Sequence, residues 1–374
     1  MGAVESKGQE AKYRHSVPTK GLKEPASIPV VAKPPKPQPP KVKTYPGIEH
    51  GWFTQTQSTG QRMSLALEKS VDKQAILCHS KSDVNNDVLV FQSAQYGKVL
   101  TVDKTIQLTE KDERVSSEMM VHITMYSHKR PRNVLVLGGG DGTIVREVCR
   151  HNHVDKITMV EADPTLIEVS KKHLSDMVPS KVWQDSRLQI VEQDGEEFLA
   201  KLAETKSNQY DVIFINMNLE LAMPTTPEPE EEESTSNAQL CKYVHDALKA
   251  NGVVCAKTGS FWIQEAAIKA SITAFSALFD AVEFATIKAP SCQTGETGMV
   301  LAQKGPSARS CQTPLRWPTS AVLKDLQWYN TDLHRNAFCL PAAWAQRVQE
   351  AQGRAVDASA EEGDRCFAPS CVIL

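Results

Sequence analysis

Hydrophobic and polar positions follow two regimes along the body of this chain. Between residues 50 and 110, short runs rich in β-branched and apolar side chains recur at Met63–Leu67, Val88–Phe91, Val99–Val102 and Thr105–Leu108. Turn-forming residues separate them, most clearly Asn85-Asn86-Asp87 and Tyr96-Gly97. The pattern predicts a small antiparallel β domain over 48–112. From 115 to 305, apolar strand-like runs alternate with helical periodicity. Val134–Leu137 reads as a strand buried on both faces, followed by a helix Ile144–His151. Then come strand Lys156–Val160, helix Pro164–Leu174, strand Leu188–Val191, helix Glu196–Ala203 and strand Tyr210–Ile215. After an irregular segment follow helix Ala238–Lys249, strand Val253–Ala256 and helix Ile263–Leu278. Such alternation predicts a mostly parallel, doubly wound sheet over 113–350, with ligands at the carboxyl ends of its strands.

Three segments break the pattern. Residues 1–46 carry nine prolines and lysines 33, 36, 41 and 43, with few large apolar side chains, and read as a semi-extended tail. Residues 217–236, with Glu230-Glu231-Glu232-Glu233, read as a long polar loop leaving a central strand beside the expected ligand crevice. Residues 351–374 are polar until the last four.

Composition narrows the class. The chain has 374 residues, 41% of them hydrophobic and 23% charged, and a formal net charge of -3. No basic field favours nucleic acid, and no apolar run approaches the roughly 20 residues of a membrane span. Nine cysteines are scattered without a CxxC pair, which points to a reducing, cytoplasmic setting rather than a disulfide scaffold or zinc ribbon.

The chemistry concentrates at the ends of the first three strands of the second region. Gly138-Gly139-Gly140-Asp141-Gly142 follows a strand and opens a helix, where glycines permit a sharp turn and close ligand approach. It is neither GxGxxG nor a P-loop. Glu161 ends the next strand, about 20 residues on, where a carboxylate accepts from both ribose hydroxyls. Asp194-Gly195 ends the third, suited to an adenine amino group and ring. With no phosphate-binding basic residue beside them, these acids suit a cationic adenosyl ligand of the S-adenosylmethionine type better than NAD or ATP.

At these residues the chain resembles the spermidine synthases, the polyamine aminopropyltransferase family. The resemblance runs from about 48 to 350 through Gly51-Trp52-Phe53, Asp87–Phe91, Tyr96-Gly97, Leu108–Glu113, Gly138–Gly142 and Tyr329–Phe338. It implies a small N-terminal antiparallel β domain followed by a Rossmann-like doubly wound sheet of the S-adenosylmethionine-dependent transferase type. It implies a homodimer, or a heterodimer with an active paralogue. The implied reaction moves an aminopropyl group from decarboxylated S-adenosylmethionine to putrescine, in polyamine biosynthesis. That nucleoside is a co-substrate; no tightly bound cofactor and no metal are implied. Carried over by position, Gln61 contacts the donor from the β domain and Asp141 holds its aminopropyl ammonium. Glu161 takes the ribose, Asp194 and Gly195 the adenine, with Gly138 and Gly140 in the turn.

The acceptor side departs from the family. Asn216 and Leu219 stand where the family's Asp-Ser-Ser-Asp-Pro motif has its two aspartates, Asn216 at the catalytic position. Ser116-Ser117 replace a Tyr-Gln pair, and Cys292 replaces a tyrosine in the late loop. Asparagine cannot accept a proton at neutral pH, and losing a general base costs roughly 10²–10⁴ in rate. Glu220, one residue past Leu219, is a candidate substitute. Three readings therefore stay open. They are an aminopropyltransferase with an altered or lost putrescine site, a catalytically silent donor-binding paralogue acting as a regulatory subunit, and an N-methyltransferase using intact S-adenosylmethionine.

The remaining motifs concern anchoring and metals. Cys371-Val372-Ile373-Leu374 has the form of a CaaX prenylation box, and Met1-Gly2 opens an N-myristoylation pattern at Gly2. With the basic tail these predict tethering to the cytosolic face of a membrane. His151 and His153 share a predicted helix end without a third ligand at metal spacing. Cys292 has no basic neighbour in sequence and reads as an inert thiol.

Overall fold

A computed structural model describes residues 45, 47–56, 60–68, 75–84, 86–205, 209–217 and 231–354, with backbone alone at 231–237 and 321. The tail 1–44, Gly2, Leu219, Glu220 and Cys371 lie outside the described residues.

The first region forms two antiparallel sheets. One joins β1 (Ile48–Glu49), β2 (Trp52–Thr56) and β3 (Arg62–Ala66). The other joins β4 (Ile76–Lys81), β5 (Asp87–Ser93), β6 (Gly97–Val102) and β7 (Thr105–Thr109). Alternate side chains of β5 serve two cores, as the two-residue period of a strand requires. Leu89 and Phe91 meet Phe53 and Leu65, while Val88 and Val90 join the large core of the second region. A strand buried on both faces reads as a continuous apolar run, which is why 88–91 is legible and the more exposed β4 is not.

The second region opens with α1 (Glu113–Tyr126), then β8 (Asn133–Leu137), α2 (Thr143–Cys149), β9 (Lys156–Glu161), α3 (Pro164–His173) and α4 (Ser180–Trp183). Next are β10 (Leu188–Glu192), α5 (Gly195–Glu204), β11 (Tyr210–Ile215), α6 (Glu231–Ala247), β12 (Leu248–Thr258) and α7 (Phe261–Ser276). β13 (Ala281–Lys288), β14 (Glu296–Gln303), α8 (Ser320–Asp325), α9 (Thr331–Asn336) and α10 (Ala342–Ala351) complete it. The seven-stranded sheet has the order β10-β9-β8-β11-β12-β14-β13. Val134, Val136, Val212 and Phe214 face one core, Leu135, Leu137, Ile213 and Ile215 the other, so the middle strands are covered on both sides.

The sheet is mostly parallel, as expected, with β14 running antiparallel to its neighbours β12 and β13. Three expectations need correction. The polar segment expected over 217–236 gives way to helix at Glu231, since glutamates are good helix formers when the chain continues into an apolar stripe. That helix ends at Ala247, where Leu248 already pairs with Tyr210 in the sheet. His151 is no ordinary helix-end residue. It is buried, its Nε2 3.0 Å from Nδ1 of His122, whose Nε2 donates to Glu147 at 3.2 Å. Tyr126 and Tyr329 pack around the pair. Burial pushes the His151 imidazole well below its ordinary range and that of His153 down to about 4. Among the described residues no cluster of His, Cys, Asp or Glu is placed to hold a metal ion, and no helix is long and apolar enough to cross a membrane.

Candidate active site

The sheet reverses its strand order between β8 and β11, and ligands in open α/β sheets bind beyond the carboxyl ends of strands at such a point. Gly138 leaves β8 with φ 72°, a left-handed conformation. A Cβ there would stand 2.5 Å from the backbone nitrogen of Met217, so the turn tolerates only glycine. Past it, the Gly140 amide donates to Glu161 Oε2 at 2.9 Å and the Asp163 amide to Oε1 at 3.1 Å. Burial pushes the Glu161 carboxyl up, and those two amides oppose the rise. Asp141 Oδ1 accepts from the Thr143 amide at 2.7 Å and the Thr143 hydroxyl at 2.6 Å, which fixes its carboxylate at the start of α2. Asp194 caps α5, its Oδ1 accepting from the amides of Glu196 and Glu197 at 2.9 and 3.0 Å. Gly195 lies against the Met217 thioether. The register Leu137↔Val160 and Glu192↔Glu161 brings the ends of β8, β9 and β10 side by side.

A cavity of about 180 Å³ opens beside this row. Asp141, Ser116, Ser117, Asn216 and Cys292 all line it, so residues from four separate stretches of sequence meet there. The Asn216 amide N–H donates to the Leu137 carbonyl at 2.9 Å, and its side-chain Nδ2 donates to the Gly138 carbonyl at 3.0 Å. That second bond needs a donor; a carboxylate in the same pose would face a carbonyl oxygen. Ser117 Oγ donates to Glu113 at 3.3 Å and accepts from Arg146 at 3.0 Å. Arg146 in turn grips both oxygens of Glu113, at 2.7 and 2.8 Å. Gln61 is exposed at the start of β3 and is not among the lining residues. Gln55 of β2 lines the cavity instead, with its Oε1 held by the Ile106 amide at 3.0 Å.

Sequence reasoning missed Lys257, which lines the cavity at the carboxyl end of β12. The strand-end rule applied to the fifth strand would have found it. Cys292, without a basic neighbour in sequence, has one in space: burial pushes its thiol up, and the Lys257 charge works against that rise. Gln293 was missed as well. It lines the cavity, and both polar atoms of its side chain are buried without a hydrogen-bond partner.

Comparison with known proteins finds two family models and a set of relatives. The model described as the spermidine synthase tetramerisation domain matches residues 51–110, and that of the spermine/spermidine synthase domain matches residues 113–311. A spermidine synthase of Dictyostelium discoideum is 32% identical over 303 residues, which cover 80% of this chain and 98% of that protein. A spermine synthase of Arabidopsis thaliana is 36% identical over 302 residues, 79% of each. Among solved structures, spermidine synthase from Thermotoga maritima aligns with a TM-score of 0.67 at 25% identity, covering 82% of this chain and 95% of that one.

Proposed function

From the premise that this chain belongs to the spermine/spermidine synthase family of aminopropyltransferases, we propose that it binds decarboxylated S-adenosylmethionine along Gly138–Asp141, Glu161 and Asp194, and that its acceptor site is rebuilt. The carrying observation is that Asp141 shares one cavity with Asn216, Ser116, Ser117 and Cys292. The donor's ammonium group pairs with Asp141, and its sulfonium methylene then faces the changed residues. A carboxylate at 141 repels the carboxylate of intact S-adenosylmethionine, which favours the decarboxylated donor and argues against methyl transfer.

In the transfer, the lone pair of a neutral amine attacks the propyl carbon next to sulfur. The carbon–sulfur bond breaks, its electrons stay on sulfur, and neutral methylthioadenosine leaves. The new secondary ammonium releases its surplus proton to water. One Nδ2 hydrogen of Asn216 is held by the Gly138 carbonyl, which fixes the side-chain amide, and its Oδ1 accepts from the incoming amine. It orients the nucleophile and takes no proton.

The same locked amide also favours a second reading, a donor-binding subunit without turnover. Purified protein supplied with decarboxylated S-adenosylmethionine and a panel of amines decides between them by mass spectrometry of methylthioadenosine. Release with an amine establishes transfer. Donor binding by calorimetry without release establishes the silent subunit. Membrane tethering through Cys371 rests on the residues 371–374 alone, and Cys371→Ser moving the protein out of the membrane fraction is its test.

A further inference from the structure

The cavity presents on its acceptor side a cation, which opposes a diamine, and an unpartnered amide whose N–H can serve an anion. Lys257 lines the wall and forms no ion pair among the described residues. Its ammonium lies close enough to Cys292 to act on the thiol, and Cys292 adjoins Gln293 in the loop between β13 and β14. Buried polar side-chain atoms are almost always hydrogen-bonded, so the Gln293 amide, buried with both atoms unpaired, stands ready for a polar group of a ligand.

The lining carboxylates do not restore a cation site. Glu113 is gripped at both oxygens by Arg146. Glu296 Oε2 is held by Lys288 at 3.0 Å, and its Oε1 faces the Ser260 hydroxyl at 3.5 Å. Asp112 is buried and accepts from the Thr109 hydroxyl and the Ser291 amide, both at 2.6 Å. Asp141 is the family-position acid for the donor's own ammonium. A second ammonium, at the far end of a diamine, would therefore meet the Lys257 charge; beside Asp141, the one lining carboxylate without a cationic partner among the described residues is Asp112, which is buried with both oxygens hydrogen-bonded. Ser260, Ile263 and Gln264, at the amino end of α7 where the helix is kinked at Gln264, complete the same wall.

We propose that the acceptor is an ω-amino carboxylate, its carboxylate taken by the Lys257 ammonium and the Gln293 amide N–H while its amine meets Asn216. This rests on the transferase reading and names the substrate class for the same site. The bond changes are those already given: the nitrogen of the amino acid bonds to the propyl carbon, sulfur leaves as methylthioadenosine, and the proton goes to water. The product is an N-(3-aminopropyl) amino acid.

The full chain titrated calorimetrically with 4-aminobutyrate and with putrescine, in the presence and absence of methylthioadenosine, tests the assignment. The expected result is that 4-aminobutyrate binds at least tenfold more tightly than putrescine. Lys257→Glu should reverse that order, and Lys257→Gln, which keeps length and polarity, should abolish the preference without inverting it. Gln293→Ala should weaken 4-aminobutyrate several-fold and leave putrescine unchanged. Tighter or equal putrescine binding overturns the proposal, as does binding of neither amine, or a preference that survives Lys257→Gln. Failure of methylthioadenosine to bind counts against the donor-site reading instead, because the acceptor preference is read without it.

Discussion

The row of strand ends that carries Asp141, Glu161 and Asp194 and the cavity that opens beside it at Asp141 are built differently. On the donor side, every acid that the sequence singles out is held by backbone. Glu161 accepts from two amides, Asp194 from two, and Asp141 from an amide and a hydroxyl. Charge-assisted bonds to backbone amides fix the carboxylates before any ligand arrives, which lowers the cost of binding. On the acceptor side, Asn216 is turned toward the protein's own carbonyl, Lys257 stands without an acidic partner among the described residues, and the Gln293 amide is unpaired. One half presents carboxylates fixed by the backbone; the other presents a lysine ammonium and an unpaired amide. On the proposed reading the contrast separates a donor side from an acceptor side, and it can be broken from either side.

The largest effect is expected at Asp141. Removing one partner of a buried ion pair costs about 3–5 kcal/mol, so Asp141→Ala should weaken decarboxylated S-adenosylmethionine by more than roughly 10²-fold in calorimetry. Asp141→Asn keeps an acceptor for Thr143 but not the charge. A loss of similar size there assigns the effect to charge, whereas full retention of affinity by Asp141→Asn would remove Asp141 from the donor side altogether.

Next is the reverse experiment on the acceptor side. Asn216→Asp restores a proton acceptor but places a carboxylate against the Gly138 carbonyl and leaves Lys257 opposing a diamine. Paired with Lys257→Gln, it should raise putrescine-dependent release of methylthioadenosine by about 10²-fold, the low end of what a general base contributes. Asn216→Asp alone should give roughly a tenth of that gain. A single substitution that matches the double would show that Lys257 does not discriminate between acceptors.

The donor side was legible because its residues sit in motifs. A glycine-rich turn and an acid at the end of each of three successive strands are local patterns, and strand pairing does the rest. The acceptor side is assembled from residues far apart in sequence. Ser117 on α1, Asn216 after β11, Lys257 at the end of β12 and Gln293 between β13 and β14 share a cavity only because of strand order. β13 and β14 were missed although Ala281–Lys288 alternates well enough to suggest a strand. β14 is buried along its whole length, but its apolar run is only the four residues Met299–Ala302, bounded by Glu296-Thr297-Gly298 and Gln303, and does not announce itself. Gln293, in the loop between them, was lost with those strands, whereas Lys257 stands one residue past the predicted strand Val253–Ala256.

Acidification should act on both sides at once and so marks the range in which they can be compared. His334 is fully buried, its Nδ1 accepting from the Tyr329 hydroxyl at 2.8 Å and its Nε2–H donating to the Cys311 carbonyl at 2.8 Å. Burial holds its imidazole down to about 4. A histidine depressed in the native state binds its proton first in the unfolded chain. Its contribution is whole above the unfolded value near 6.5 and is lost as pH falls toward 4. Between pH 7 and pH 5 this one group should remove about 2 kcal/mol of stability, read as a falling Tm. His151 acts in the same direction. A Tm that stays flat across this interval would mean that the cluster opens to water, and donor and acceptor affinities should be measured above pH 7 in either case.

The smallest effect separates the two sides at the point where they touch. Met217 follows Asn216 and lies against both Gly138 and Gly195, so it belongs by sequence to the acceptor segment and by contact to the donor crevice. A Cβ on Gly195 would stand 2.7 Å from the Met217 sulfur, which is the far part of a flexible side chain and can swing aside. Gly195→Ala should therefore leave the fold intact and weaken the donor only a few-fold, about 0.5–1 kcal/mol, as the thioether is pushed into space the donor needs. Adding Met217→Ala removes the clash and should return the affinity, giving a coupling energy of the same size in a double-mutant cycle. If the two substitutions are instead additive, Met217 does not border the donor, and the two halves of the cavity are independent even where they are adjacent in sequence.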